Sequence, residues 1–151
     1  MESSHQVFLA NEETAIEGTG AVAIKLGGHF PGSMVLLYER RLFIADTLCT
    51  TPAGIGKWEV DGTGALRQKP QGLNTFSFMW SIPNLIPLGV DEMLRMWKIL
   101  KKHDFTATHG AFVHEDIEDE HVKRRVLESM QIQAKFMGNN EHAIVNESIY
   151  L

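Results

Sequence analysis

The chain has 151 residues, a formal net charge of −5, 44% hydrophobic residues and 22% charged residues. That length suits one domain over residues 1–151 with a sizeable core, and the acidic balance excludes the basic stripe of a nucleic-acid surface. No apolar run reaches the roughly 20 residues that span a bilayer, and the single cysteine, Cys49, excludes an internal disulfide.

The first twenty residues carry Glu2, Glu12, Glu13 and Glu17 and lack the basic start and apolar stretch of a targeting peptide. A reducing, cytoplasmic setting without membrane contact is the expectation. Gln6 to Ala10 reads as a short strand. Ala21 to Leu26 is a second, rich in β-branched residues and stopped by Gly27-Gly28. Met34 to Tyr38 and Leu42 to Ala45 form a predicted hairpin joined by Glu39-Arg40-Arg41. Both runs are nearly continuous in apolar character, so both faces are expected to be covered. Residues 50–74 are polar and rich in glycine, and read as a long loop. Thr75 to Ser81 reads as a short strand or a packed loop.

From Asp91, the spacing of Met93, Leu94, Met96, Trp97 and Leu100 predicts a helix with Trp97 in the core. Asp91 and Glu92 at its start and Lys101, Lys102 and His103 at its end suit the helix dipole. Phe105 to Thr108 reads as a strand. A second helix is predicted from about Ile117 to Met137, with Val122, Val126, Leu127, Met130, Ala134 and Met137 as its stripe and Gly138 as its stop. Lys123-Arg124-Arg125 reads as a solvated face. Strands first, then strand and helix alternating, predict a layered α/β or α+β domain: a mixed sheet with two C-terminal helices.

Three polar residues end apolar runs. His29 lies in Gly27-Gly28-His29-Phe30-Pro31-Gly32-Ser33, Asp46 follows Leu42-Phe43-Ile44-Ala45, and His109 closes Phe105-Thr106-Ala107-Thr108 before Gly110. Each side chain is expected at the rim of a sheet. Two imidazoles and a carboxylate suit zinc, iron or manganese. Each residue also has a plain structural reading. His29 caps a turn, and Asp46 caps or bonds to the loop that follows, although a carboxylate ending a buried strand is costly unless paired. His114 reads as a surface residue or as one supporting a site, and His103, His121 and His142 as solvated. Cys49 has no basic partner and is no nucleophile.

The segments Gly28-His29-Phe30-Pro31-Gly32-Ser33, Ile44-Ala45-Asp46-Thr47-Leu48 and Thr108-His109-Gly110, in this order around a hairpin, resemble the C-terminal half of the metallo-β-lactamase superfamily. The resemblance covers roughly residues 5–140. It implies half of an αββα sandwich. It also implies metal ligation by His29, Asp46 and His109, with Asp46 as the catalytic carboxylate that orients water. The family's H-x-H-x-D-H signature is absent from the 28 residues before His29, and Ala45 stands where the family usually has glycine. The resemblance therefore implies a mononuclear zinc site at most, in a metal-dependent hydrolase with an incomplete site. The alternative is an inactive remnant or interaction module of the same fold. One sheet surface would then need a cover, supplied by homodimerisation or another partner.

Overall fold

The computed structural model describes residues 9–55 and 74–150. Its elements in chain order are β1 (Glu13–Ile16), β2 (Ala21–Lys25), β3 (Met34–Tyr38), β4 (Arg41–Phe43), β5 (Cys49–Thr50), β6 (Phe76–Ser77), β7 (Met79–Ser81), β8 (Ile86–Pro87), α1 (Val90–Leu100), β9 (Ala107–His109), β10 (Ile117–Glu118) and α2 (Val122–Phe136). A six-stranded sheet has the order β1-β2-β3-β4-β9-β10, and β5-β6 and β7-β8 form two small ribbons. Every pairing in the large sheet is antiparallel except β4 with β9, which is parallel. The fold is therefore α+β: a mixed sheet and two helices. No helix among the described residues is long and apolar enough to cross a membrane.

Strand register decides which side chains meet the helices. Val22 pairs with Leu37, Ile24 with Val35, Leu37 with Leu42, and Leu42 with Thr108, so these residues share one face. Ile24, Val35 and Leu42 are buried there with Met93, Met96, Trp97 and Leu100 of α1 and Val126 and Met130 of α2. The other face carries Ile16, Met34, Tyr38 and Phe43, each roughly 40% exposed. The expectation that β3 and β4 are covered on both faces is overturned: among the described residues, Met34, Tyr38 and Phe43 stay exposed on the face away from the helices. Apolar composition alone does not distinguish a doubly covered strand from one with an open apolar face.

The β3–β4 turn holds two residues, Glu39 and Arg40, at φ 45° and 63°. Arg41 belongs to the strand rather than to the connection. This is the mirror-image turn geometry that suits the twist of a tight hairpin. Arg40 is held by its Nε, 2.8 Å from Asp104, and by its carbonyl, which accepts from Thr106 N–H at 2.9 Å.

Two side chains of α2 serve as backbone partners for the β6–β7 segment. Phe76 N–H donates to Ser129 Oγ at 3.1 Å. Phe78 N–H donates to Gln133 Oε1 at 3.1 Å, and Gln133 Nε2 donates back to the Phe78 carbonyl at 2.9 Å. The segment thus reaches the core with its polar backbone satisfied.

Several other expectations change. Gln6 to Phe8 lie outside the described residues, and Leu9 and Ala10 form no strand; the first described strand is the edge strand β1. Most of the predicted 50–74 loop also lies outside the described residues; Cys49–Thr50 and Pro52–Gly54 form a strand and a short 3-10 turn. The second helix begins at Val122, not near Ile117, because Ile117–Glu118 pairs with β9. Arg125 is not solvated. It is fully buried and pairs with Asp119, and it donates to the Gly54 carbonyl at 3.4 Å. One residue before Val126 and four before Ser129, it falls on the core stripe, where burial pushes its pKa below the ordinary value. The C-terminal stop holds: Gly138 has φ 82°, and Asn139 N–H donates back to the Ala134 carbonyl at 3.0 Å.

Candidate functional site

Chain direction brings the three expected residues to one edge. β2 is antiparallel to β3, β3 is antiparallel to β4, and β4 is parallel to β9. β2, β4 and β9 therefore run the same way, and His29, Asp46 and His109 stand at or just past their carboxyl ends. With strands about 4.8 Å apart, the β4 and β9 ends are neighbours and the β2 end lies roughly two spacings from β4. Ile44 N–H donates to the His109 carbonyl at 2.9 Å, tying the turn that carries Asp46 to the strand that carries His109.

His29 sits in a pinned loop. Leu26 and Gly27 N–H both donate to the Ser33 carbonyl, at 3.0 and 2.9 Å, and Phe30 N–H donates to Ser33 Oγ at 2.9 Å. Helix α1 holds the other side: Gly28 N–H donates to Glu92 Oε1 at 2.8 Å, and Arg95 donates to the Leu26 carbonyl. Arg95 also bonds Glu92 and holds its carboxyl below the usual range. The imidazole Nδ1 lies 3.2 Å from the Met79 carbonyl oxygen. A carbonyl only accepts, so Nδ1 carries the proton and the Nε2 lone pair of the neutral ring is left for another partner.

Asp46 is exposed, which removes the desolvation argument for a bound cation there. Its position has a different local cause. Ala45 adopts φ 43°, and Thr47 N–H closes a turn onto the Ile44 carbonyl at 3.0 Å. The chain thereby leaves β4 sharply and presents Asp46 to a cleft of about 410 Å³. His29, Cys49 and Glu115 line the same cleft, with Ile82, Pro83 and Phe112 as its apolar wall. Burial first, then the Asp46 and Glu115 carboxylates, push the Cys49 thiol up to about 11. The thiol is protonated at neutral pH, so it is not a nucleophile.

His109 has a different environment. Its ring stacks on Phe43 at 4.9 Å between centroids, and Nδ1 lies 2.9 Å from Asp116 Oδ1. Nε2 is buried and has no hydrogen-bond partner among the described residues. Both histidines thus have Nδ1 engaged by an oxygen, the arrangement that orients a metal-ligating imidazole. The donor set suits zinc, but the geometric fit is partial. His29 and Asp46 share a cleft, His109 is not among the residues lining it, and no group of three or more His, Cys, Asp or Glu side chains among the described residues is arranged to hold a metal ion.

Glu115, Asp116 and the Met79 carbonyl are site features that spacing did not single out. The run His114-Glu115-Asp116 carried the signal, since carboxylates beside a strand-ending histidine are its natural partners. His103 and His142 are tied to Glu13 and Asp91 at 3.2 and 3.1 Å rather than freely solvated. Comparison with family models, with curated proteins and with solved structures finds no match for the chain.

Proposed function

We propose that the chain is a metallo-β-lactamase-like domain acting as a metal-dependent hydrolase with an incomplete site, in which His29, Asp46 and His109 hold one zinc ion. The observation that supports this most is the cleft shared by His29 and Asp46 beneath a common rim, with the His29 Nε2 lone pair left open. Zinc held there would supply a Lewis acid for a carbonyl or phosphoryl oxygen. Asp46, exposed and without an ion pair among the described residues, would accept a proton from water and orient it. Ile82, Pro83 and Phe112 would limit water around the scissile group.

The alternative reading is an inactive interaction module. It is favoured by His109 standing apart from the cleft and by the open apolar face carrying Ile16, Met34, Tyr38 and Phe43. A second copy of the chain is the proposed cover for that face under either reading. Light scattering at micromolar concentration should find a dimer, and a well-folded monomer would count against the cover. Thermal melting with and without zinc separates the two functions. The hydrolase reading expects zinc to raise the melting temperature of the wild type but not of His29→Ala or Asp46→Ala. Equal or absent shifts in all three favour the interaction module.

A further inference from the structure

His29 is a wall between two clefts. Behind the one that holds Asp46 lies a larger one of about 690 Å³, within the size range of small-molecule sites, whose lining includes Lys25, Trp80, Leu88, Glu92 and Arg95. We propose that this second cleft binds the distal part of the substrate, an apolar or aromatic group ending in a carboxylate or phosphate.

Charge accounting points to an anion. Glu92 is matched by Arg95 and by the Gly28 N–H, and Glu12, also in the lining, lies 3.2 Å from Lys102. Lys25 is the one charged group of the lining with no ion pair or hydrogen bond from its side chain among the described residues. The root of its side chain is fixed, because β2 is bonded on both sides, by β1 and β3. An unpaired ammonium in the lining can turn its three N–H donors toward one anionic oxygen.

Trp80 supplies the apolar surface. It is 58% exposed on β7, beside the Met79 carbonyl that orients His29. A large indole face left open next to Leu88 suits a flat or aliphatic segment. A molecule laid along this cleft, with its anionic end at Lys25, passes His29 and so reaches the Asp46 side. The assignment of this molecule as a substrate rests on the hydrolase reading, whereas the binding itself does not.

The test uses phenylpropionate and its uncharged amide, titrated calorimetrically into the whole chain with EDTA present. The wild type should bind the acid about tenfold more tightly than the amide, the worth of one charge-assisted hydrogen bond. Lys25→Gln should erase that preference without changing amide binding, and Trp80→Ala should weaken both ligands. Equal binding of acid and amide by the wild type, binding of neither, or a preference that survives Lys25→Gln would overturn the proposal. The comparison on the wild type needs no variant to fold. Because metal is excluded, failure here leaves the zinc reading standing, and failure of zinc binding leaves this cleft standing.

Discussion

His29 Nδ1 lies 3.2 Å from the carbonyl oxygen of Met79, fifty residues further along the chain. That contact does two things at once. It sets the tautomer of the imidazole, and it binds the Gly27–Ser33 loop to the ribbon that carries Trp80. The orientation of His29 is thus decided by packing between distant segments, while its presence at the rim is decided locally by the end of β2.

The loop that carries His29 should be intolerant of added volume at one glycine and indifferent at another. A Cβ on Gly28, at φ +83°, would lie 2.9 Å from Met96 Sδ, whereas one on Gly32 would meet nothing within 4 Å. Gly28→Ala is expected to lower stability by about 2 kcal/mol, combining left-handed backbone strain with overpacking. Gly32→Ala should stay within about 0.5 kcal/mol of wild type. Urea denaturation of the two variants measures the difference, and equal stabilities would contradict the close approach of α1 to this loop.

Ala45 offers the opposite experiment. Its φ of 43° places an L-residue with a Cβ in the left-handed region. Ala45→Gly should therefore stabilise the protein by about 1 kcal/mol, despite the extra freedom glycine gives the unfolded chain. A loss of stability on Ala45→Gly would show that the turn into Asp46 is not strained.

Cys49 reports on the carboxylates of the cleft. With its thiol pushed up to about 11, alkylation by iodoacetamide at pH 8 should run roughly 100-fold slower than for an ordinary exposed thiol and climb as pH approaches 11. Asp46→Asn or Glu115→Gln should speed it by removing a facing negative charge. The linkage has a definite sign. The folded state holds this proton more tightly, so its contribution to stability is complete below the ordinary thiol value of 9.0 and is lost as pH rises toward about 11. Fast alkylation at pH 8, unaltered by either substitution, would remove Asp46 and Glu115 from the surroundings of the thiol.

Much of the rim was legible because it depends on local signals. Small residues after Leu26, the Asp after Ala45 and the His-Gly after Thr108 each mark a strand end, and strand direction then gathers them on one edge. Helix α1 was legible from its periodicity, and Trp97 is fully buried as expected. What escaped depends on partners far along the chain. β1 is only four residues long, too short for Ala15 and Ile16 to show a period, and becomes a strand because β2 offers it an edge. Arg125 looks like a surface cation until Asp119 and the Gly54 carbonyl are brought beneath it. Ile117–Glu118 is too short to have a period and is a strand only by pairing with β9. The tie between His109 and Asp116 depends on the return of the chain after His109, which spacing alone does not describe.

Zinc binding at equilibrium bears most directly on the proposed function. Calorimetric titration of zinc into chelator-treated protein is expected to show about one equivalent bound to the wild type. His29→Ala and Asp46→Ala should abolish that binding, and His109→Ala should weaken or abolish it. Less than about a tenth of an equivalent on the wild type, or undiminished binding by Asp46→Ala, would contradict a metal site at this rim.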